Sequence, residues 1–230
     1  MKRVHFNRFE TVFLIVGFLT NTFIAFWTKG SLINTIYAYL CVLSGVLLTK
    51  ARIEGYLLEF TVGLLYLFIA MKQRYYSEML IGFLLMPISI VGIIRWLRQK
   101  NSSENTVNIV NVSKREIVLV VASQLLLFPL YYYLISLFND QVLVLSTFSL
   151  IFSLLANYFI ARMSAFNYIC FLCKDVVVVS MWLAPMLKGD FSSVSVMLSC
   201  LFYMVNDIYG LYNWNRIMKQ QKALQKEKKL

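Results

Sequence analysis

Glu78–Trp96, EMLIGFLLMPISIVGIIRW, is the stretch that decides the fold. Between its opening acid and Arg95 it carries no charge, and its length suits the roughly 20 residues a helix needs to cross bilayer hydrocarbon. It closes on Gly92-Ile-Ile-Arg-Trp96, and a later apolar run closes in the same way on Gly210-Leu-Tyr-Asn-Trp214. Each pair stands just before a basic stretch. Two runs with matched ends point to an internally repeated membrane bundle, an architecture in which one half can rock against the other around a central site.

The rest of the chain fits that reading. It is 60% apolar, with aromatics at 16% and charged residues at 14%, so a soluble fold would leave greasy surface facing water. A window of transmembrane length finds eight spans: Phe9 to Trp27, Leu32 to Leu48, Tyr56 to Met71, Glu78 to Trp96, Ile117 to Phe138, Val142 to Ala161, Phe166 to Leu187 and Ser192 to Trp214. The first is too long, and too poorly followed by a small-residue cleavage site, for a removed signal peptide. Pro87, Pro129 and Pro185 fall within spans and are expected to interrupt them.

Loop charge sets the orientation, because cytoplasmic loops hold the excess of Lys and Arg. With both termini inside, seventeen basic residues lie on the inner side and four, Lys29, Lys72, Arg74 and Lys188, on the outer, with Lys174 left in a span. A net charge of +11 therefore answers to phospholipid headgroups rather than to nucleic acid, since no basic and aromatic face recurs along a soluble domain. The four cysteines all lie in apolar segments and read as packing residues. With His5 the one histidine, neither a metal site nor a cofactor is expected.

The expected organisation is a tail and additional helix over residues 1–31, a first three-helix repeat over 32–97, a polar loop and linker helix over 98–138, a second three-helix repeat over 139–215 and a basic cytoplasmic tail over 216–230. The fold is thus all-α and integral to the membrane. No loop is large enough for a catalytic domain, no nucleophile stands with a base or metal set, and no phosphate-binding loop suggests ATP hydrolysis, so an enzyme is not expected.

Three stretches carry a resemblance to a known family. They are Tyr76-Ser-Glu78 running into Pro87-Ile-Ser-Ile-Val-Gly92-Ile-Ile-Arg-Trp96; Leu154-Leu-Ala-Asn157-Tyr-Phe-Ile-Ala-Arg162; and Lys188-Gly-Asp190 running into Asn206-Asp-Ile-Tyr-Gly210-Leu-Tyr-Asn-Trp214. From about Gly55 to Lys219 the chain resembles the PnuC family of nicotinamide riboside transporters. The resemblance implies a three-plus-one-plus-three core related to SWEET sugar transporters, here with an additional first helix, and often a homotrimer in a bacterial cytoplasmic membrane. It also implies facilitated entry of a nucleoside-like vitamin precursor, which a cytoplasmic kinase then traps. A carrier of deoxynucleosides, thiamine or riboflavin on the same fold, and a non-transporting membrane subunit or sensor, stand as alternatives.

Ionisable or strongly polar side chains in mid-span are costly and usually line a cavity. Glu59, Lys174, Asp175, Asn206 and Asp207 are the candidates. Tyr168, Phe171 and Asp175 share one helical face and form a plausible clamp for a flat ring bearing a sugar. In the family these positions carry a tryptophan pair followed by a polar residue, and this chain has Tyr and Phe instead of the pair. Glu59 with Tyr66 is expected to form the opposing wall. Asn157 and Gln124 are candidate ribose partners, but amides also glue helices together, and for these two that structural reading is the favoured one. Asp207, Lys174, Gly92, Trp96, Gly210 and Trp214 are assigned to gating or to structure. Lys174 and Asp175, about 100° apart on a helix, are not expected to face each other.

Overall fold

The computed structural model describes residues 5–27, 32–73, 76–100, 105–139, 142–187 and 194–227. The Lys188–Asp190 motif, Lys29 and Arg74 lie outside them, as do the side chains of Lys72 and Pro185. The described residues form nine helices: α1 (Arg8–Trp27), α2 (Leu32–Thr49), α3 (Ile53–Gln73), α4 (Tyr76–Gln99), α5 (Lys114–Leu126), α6 (Phe128–Ser136), α7 (Leu143–Ala161), α8 (Phe166–Leu187) and α9 (Val194–Glu227). By length and hydropathy alone α1, α2, α4 and α7 can each cross a bilayer, and α5 with α6, bent by 41°, passes the same test when taken as one span. α3, α8 and α9 complete the eight, and they carry Glu59, the Lys174 and Asp175 pair, and Asp207.

The prolines behave differently from one another. Pro129 sits in the first turn of α6, where its missing N–H costs nothing, and the chain bends beside it at Leu127. Helix α4 instead runs on through Pro87, and the α8 backbone continues to Leu187, so the expected interruptions there do not occur.

The duplication is visible atom by atom. α2, α3 and α4 pack on one another in sequence, as α7, α8 and α9 do, and the two sets meet through α2 on α9 and α4 on α7. The α2–α3 and α7–α8 turns each place a non-glycine residue in the left-handed region, Ala51 at φ 53° and Met163 at φ 55°. That conformation costs roughly 1–2 kcal/mol for an L-residue. Five residues beyond each turn residue is a buried tyrosine. Tyr56 lies where a side chain on Gly92 would be, and Tyr168 where one on Gly210 would be. The two glycines are therefore sockets for tyrosine rings.

One turn further on stand Trp96 and Trp214, both fully buried. Trp96 stacks on Tyr56 with ring centroids 4.8 Å apart, Tyr168 meets Trp214 edge-on at 5.3 Å, and the indoles approach each other at 6.0 Å. Each indole N–H donates across the seam. Trp96 reaches the Ile160 carbonyl of α7 at 2.9 Å, and Trp214 the Leu48 carbonyl of α2 at 2.8 Å. Asn213 adds a bond from its amide to the Thr49 carbonyl at 2.7 Å. The Gly-x-x-x-Trp signature thus closes each repeat onto the other, near the helix ends where carbonyls lack intrahelical donors.

Two segments depart from expectation. The stretch joining α4 to α5 is not simply polar: Val107, Ile109 and Val112 are buried while Asn108 and Asn111 face out. Its backbone bonds to both left-handed turns, Val107 N–H to the Ala51 carbonyl and Val110 N–H to the Met163 carbonyl, each at 2.9 Å. The tail assigned to 216–230 is, as far as it is described, a continuation of α9. From there the Gln221 side chain accepts from Ile109 N–H at 3.0 Å and donates to the Val107 carbonyl at 3.4 Å.

Helix α1 is attached by polar contacts at its start. Asn7 and Glu10 cap each other reciprocally, with both bonds at 2.8 Å. Glu10 also pairs with Lys50 of the α2–α3 turn at 2.8 Å and accepts from the Tyr209 hydroxyl of α9 at 2.9 Å.

Candidate functional site

Four helices bring their polar residues to the seam between the repeats. α2 contributes Tyr37, Cys41 and Ser44; α3 contributes Glu59; α8 contributes Phe171, Lys174 and Asp175; α9 contributes Tyr203 and Asp207. The Ser44 hydroxyl donates to Glu59 at 2.8 Å, and the Cys41 thiol contacts both Tyr37 and Tyr203. Lys174 lies within electrostatic reach of Glu59 and Asp207 as well as Asp175. One carboxylate is thus in contact with the ammonium and two further acids lie within its electrostatic reach.

That ammonium is the centre of the arrangement. Lys174 Nζ lies 2.8 Å from Asp175 Oδ1, 5.6 Å from the centroid of the Phe171 ring and 5.9 Å from that of Tyr203. Both ring distances are within the range of a cation–π contact. The Asp175 side chain is 1% exposed and that of Lys174 25%. Neither Asp175 oxygen meets hydrogen-bond geometry with a partner, so the pair is an ion contact and not a well-aligned bond. The expectation that Lys174 and Asp175 would not meet is corrected here. Their Cα–Cβ directions do diverge, but the long lysine stem swings round to bring Nζ back to its neighbour.

The other predicted residues are distributed more widely. Tyr168 is walled in by Gly210 and Trp214, so the aromatic partner of Phe171 across the ammonium is Tyr203 of α9. Tyr66 stacks on Tyr37 at 5.8 Å and donates to Glu78 at 2.8 Å, which places it on the same side as Glu59 but a level away. Asn206 packs against α2 at Gly45, its amide nitrogen 3.1 Å from where a Cβ there would stand. Asn157 bonds back to the Ser153 carbonyl at 2.9 Å. Gln124 accepts from the Tyr131 hydroxyl at 3.0 Å and lines a separate cleft of about 260 Å³ with Leu84, Ile88 and Tyr158. Gly92, Trp96, Gly210 and Trp214 form the aromatic closure already described.

Sequence reasoning left Tyr203, Tyr37, Cys41 and Ser44 out of the site. Tyr203 had a readable signal, since it shares a helical face with Asp207, Gly210 and Trp214. The α2 residues had none. Nothing in a run of apolar and small residues says that one serine will point at the glutamate of the next helix.

A bundle of two three-helix repeats joined by a linker crossing, with its ionisable groups at the seam, defines a membrane transporter of the duplicated kind. Comparison with known proteins makes this specific. The model of the family described as Nicotinamide mononucleotide transporter matches residues 31–216, and the chain belongs to that family. It is 20% identical over 219 residues to the nicotinamide riboside transporter PnuC of Neisseria mucosa, with 93% of this chain and 83% of that protein covered. Its fold matches the crystal structure of the vitamin B3 transporter PnuC with a TM-score of 0.79 at 20% identity, over 94% of each chain.

Proposed function

We propose that this protein is a membrane transporter of nicotinamide riboside. The observation that carries the reading is the seam cluster, in which Phe171 and Tyr203 present ring faces beside Glu59, Asp175 and Asp207 in a chain of this family. Nicotinamide riboside is a pyridinium cation with a neutral sugar. Aromatic faces and carboxyl groups suit the ring, and Ser44 and the carboxyls suit hydroxyl groups.

The same chemistry selects between the riboside and the mononucleotide of the family description. A phosphate dianion would have to enter beside the Asp175 carboxylate, which repels it. The one basic side chain that the described residues bring there, Lys174, is already engaged with Asp175. The substrate is therefore the uncharged-sugar form.

Movement is facilitated, with cytoplasmic phosphorylation trapping the product on the side where its charge prevents return. The protein sits in the cytoplasmic membrane as a homotrimer with both termini inside. The inside position of the termini rests on the bias of basic residues, seventeen against four. Uptake of labelled nicotinamide riboside into liposomes holding the purified protein tests the substrate, with nicotinamide mononucleotide, thiamine, riboflavin and deoxynucleosides as unlabelled competitors. Saturable uptake blocked by unlabelled nicotinamide riboside alone, and reduced at least about tenfold in kcat/KM by Phe171→Ala through loss of a stacking face, is expected. Block by one of the other compounds would reassign the substrate.

A further inference from the structure

Lys174 is an unusual residue for a site that receives a cation. Its ammonium stands where such a ligand would find its best contacts, against a carboxylate at 2.8 Å and over the faces of Phe171 at 5.6 Å and Tyr203 at 5.9 Å. Glu59 of α3 and Asp207 of α9 lie within electrostatic reach of the same ammonium. A cationic ring entering between these aromatics has to meet Lys174 or replace it. The lysine is the group best able to give way, because four methylenes let Nζ swing while the stem stays packed, and a quarter of its side chain is already open.

We infer that Lys174 is a tethered cation that occupies the ring seat of the empty transporter and must be displaced by a cationic substrate, so that it sets both the affinity for that substrate and the preference between charged and neutral ligands. This rests on the transport reading above. Its consequence is specific. A cationic riboside competes with Lys174 for Phe171, Tyr203 and Asp175, and once the ammonium has moved aside it still repels the bound ring. A neutral ring of the same shape needs neither the cation seat nor an escape from that repulsion. Lys174 therefore penalises the cation and is nearly indifferent to its neutral counterpart.

The test compares nicotinamide riboside with its neutral reduced form, 1,4-dihydronicotinamide riboside, as substrates of the full-length protein in liposomes. The variants are Lys174→Met, which keeps the stem and removes the charge, and Lys174→Arg, which keeps the charge. Lys174→Met is expected to lower KM for the cation about tenfold, the order of a desolvated cation–π contact returned to the ligand. KM for the dihydro form should change less than about twofold, since no charge is involved. Lys174→Arg should leave the preference near that of the wild type.

Because Lys174→Met leaves Asp175 without its partner, the double variant Lys174→Met with Asp175→Asn is measured beside it. The double variant should keep the shift toward the cation, because the ring faces of Phe171 and Tyr203 remain. An unchanged cation-to-neutral ratio in both variants, or an equal rise of KM for both compounds, overturns the role of Lys174 and leaves transport standing. Wild-type protein that moves neither riboside overturns the transport reading itself, and this inference with it.

Discussion

At the residue scale the protein is governed by a few buried side chains with little room to change partner. Asp175 is the most constrained. It is fully buried, in ion contact with the ammonium of Lys174 and beside the carboxyl of Asp207. Asp175→Asn removes the charge that balances that ammonium and is expected to cost about 3 kcal/mol, the low end for breaking a buried pair because Lys174 is partly open. Thermal unfolding of the detergent-solubilised protein measures it. Combining Asp175→Asn with Lys174→Met should recover much of the loss, since replacing both partners leaves no uncompensated charge. Gly210 is constrained by space instead. A methyl group there would enter the Tyr168 ring, so Gly210→Ala should destabilise by roughly 1–3 kcal/mol in the same assay. Tyr168→Ala in that background would make room for the methyl group, so the two substitutions should not be additive.

At the scale of elements, the segment between α4 and α5 unites the two repeats. Its buried Val107, Ile109 and Val112 alternate irregularly with asparagines, and its amides bond to the carbonyls of Ala51 and Met163, which both turns expose through their left-handed geometry. Gln221, on the extension of α9, holds the segment from the other side. Gln221→Leu removes both bonds, each worth about 1 kcal/mol. The expected result is faster amide hydrogen exchange at Ile109, with the amides of α8 around Phe171 unaffected. Equal acceleration throughout would mean that Gln221 contributes to global stability and not to this contact alone. The bend between α5 and α6 belongs to the same scale. Pro129 produces a break where it begins a helix, whereas Pro87 is accommodated within the unbroken α4.

At the scale of the whole molecule the two repeats meet back to back around the indole pair, and the charged cluster occupies the seam. α2 and α9 pack together, as do α4 and α7, so each half completes its own closure with a carbonyl from the other. If both termini lie inside, as proposed, Lys219→Cys in a cysteine-free background should react with a membrane-impermeant thiol reagent only after the cells are opened, and Lys29→Cys should react from outside. The reverse pattern would invert the orientation proposed above. The same experiment reports on the number of crossings, because an odd count puts the two termini on opposite sides.

Much of this protein is legible in its sequence, for a physical reason. Hydrocarbon tolerates only helices whose length and apolarity match its thickness, so the eight crossings, their loops and the repeated Gly-x-x-x-Trp ends stand out without any knowledge of contacts. Rare ionisable residues in such helices stand out equally, and Glu59, Lys174, Asp175 and Asp207 do gather in one place. What only the tertiary structure decided is which neighbours they have. Helical spacing shows that Tyr168 and Phe171 share a face. It does not show that Gly210 leaves a socket for the first ring while the second lies beneath an ammonium. Ser44 and Cys41 enter the site from a helix far away in the chain, and no local pattern marks them. A membrane reads each helix by composition, one at a time, whereas a binding site is made where several helices cross, and crossings are set by packing that only the folded molecule contains.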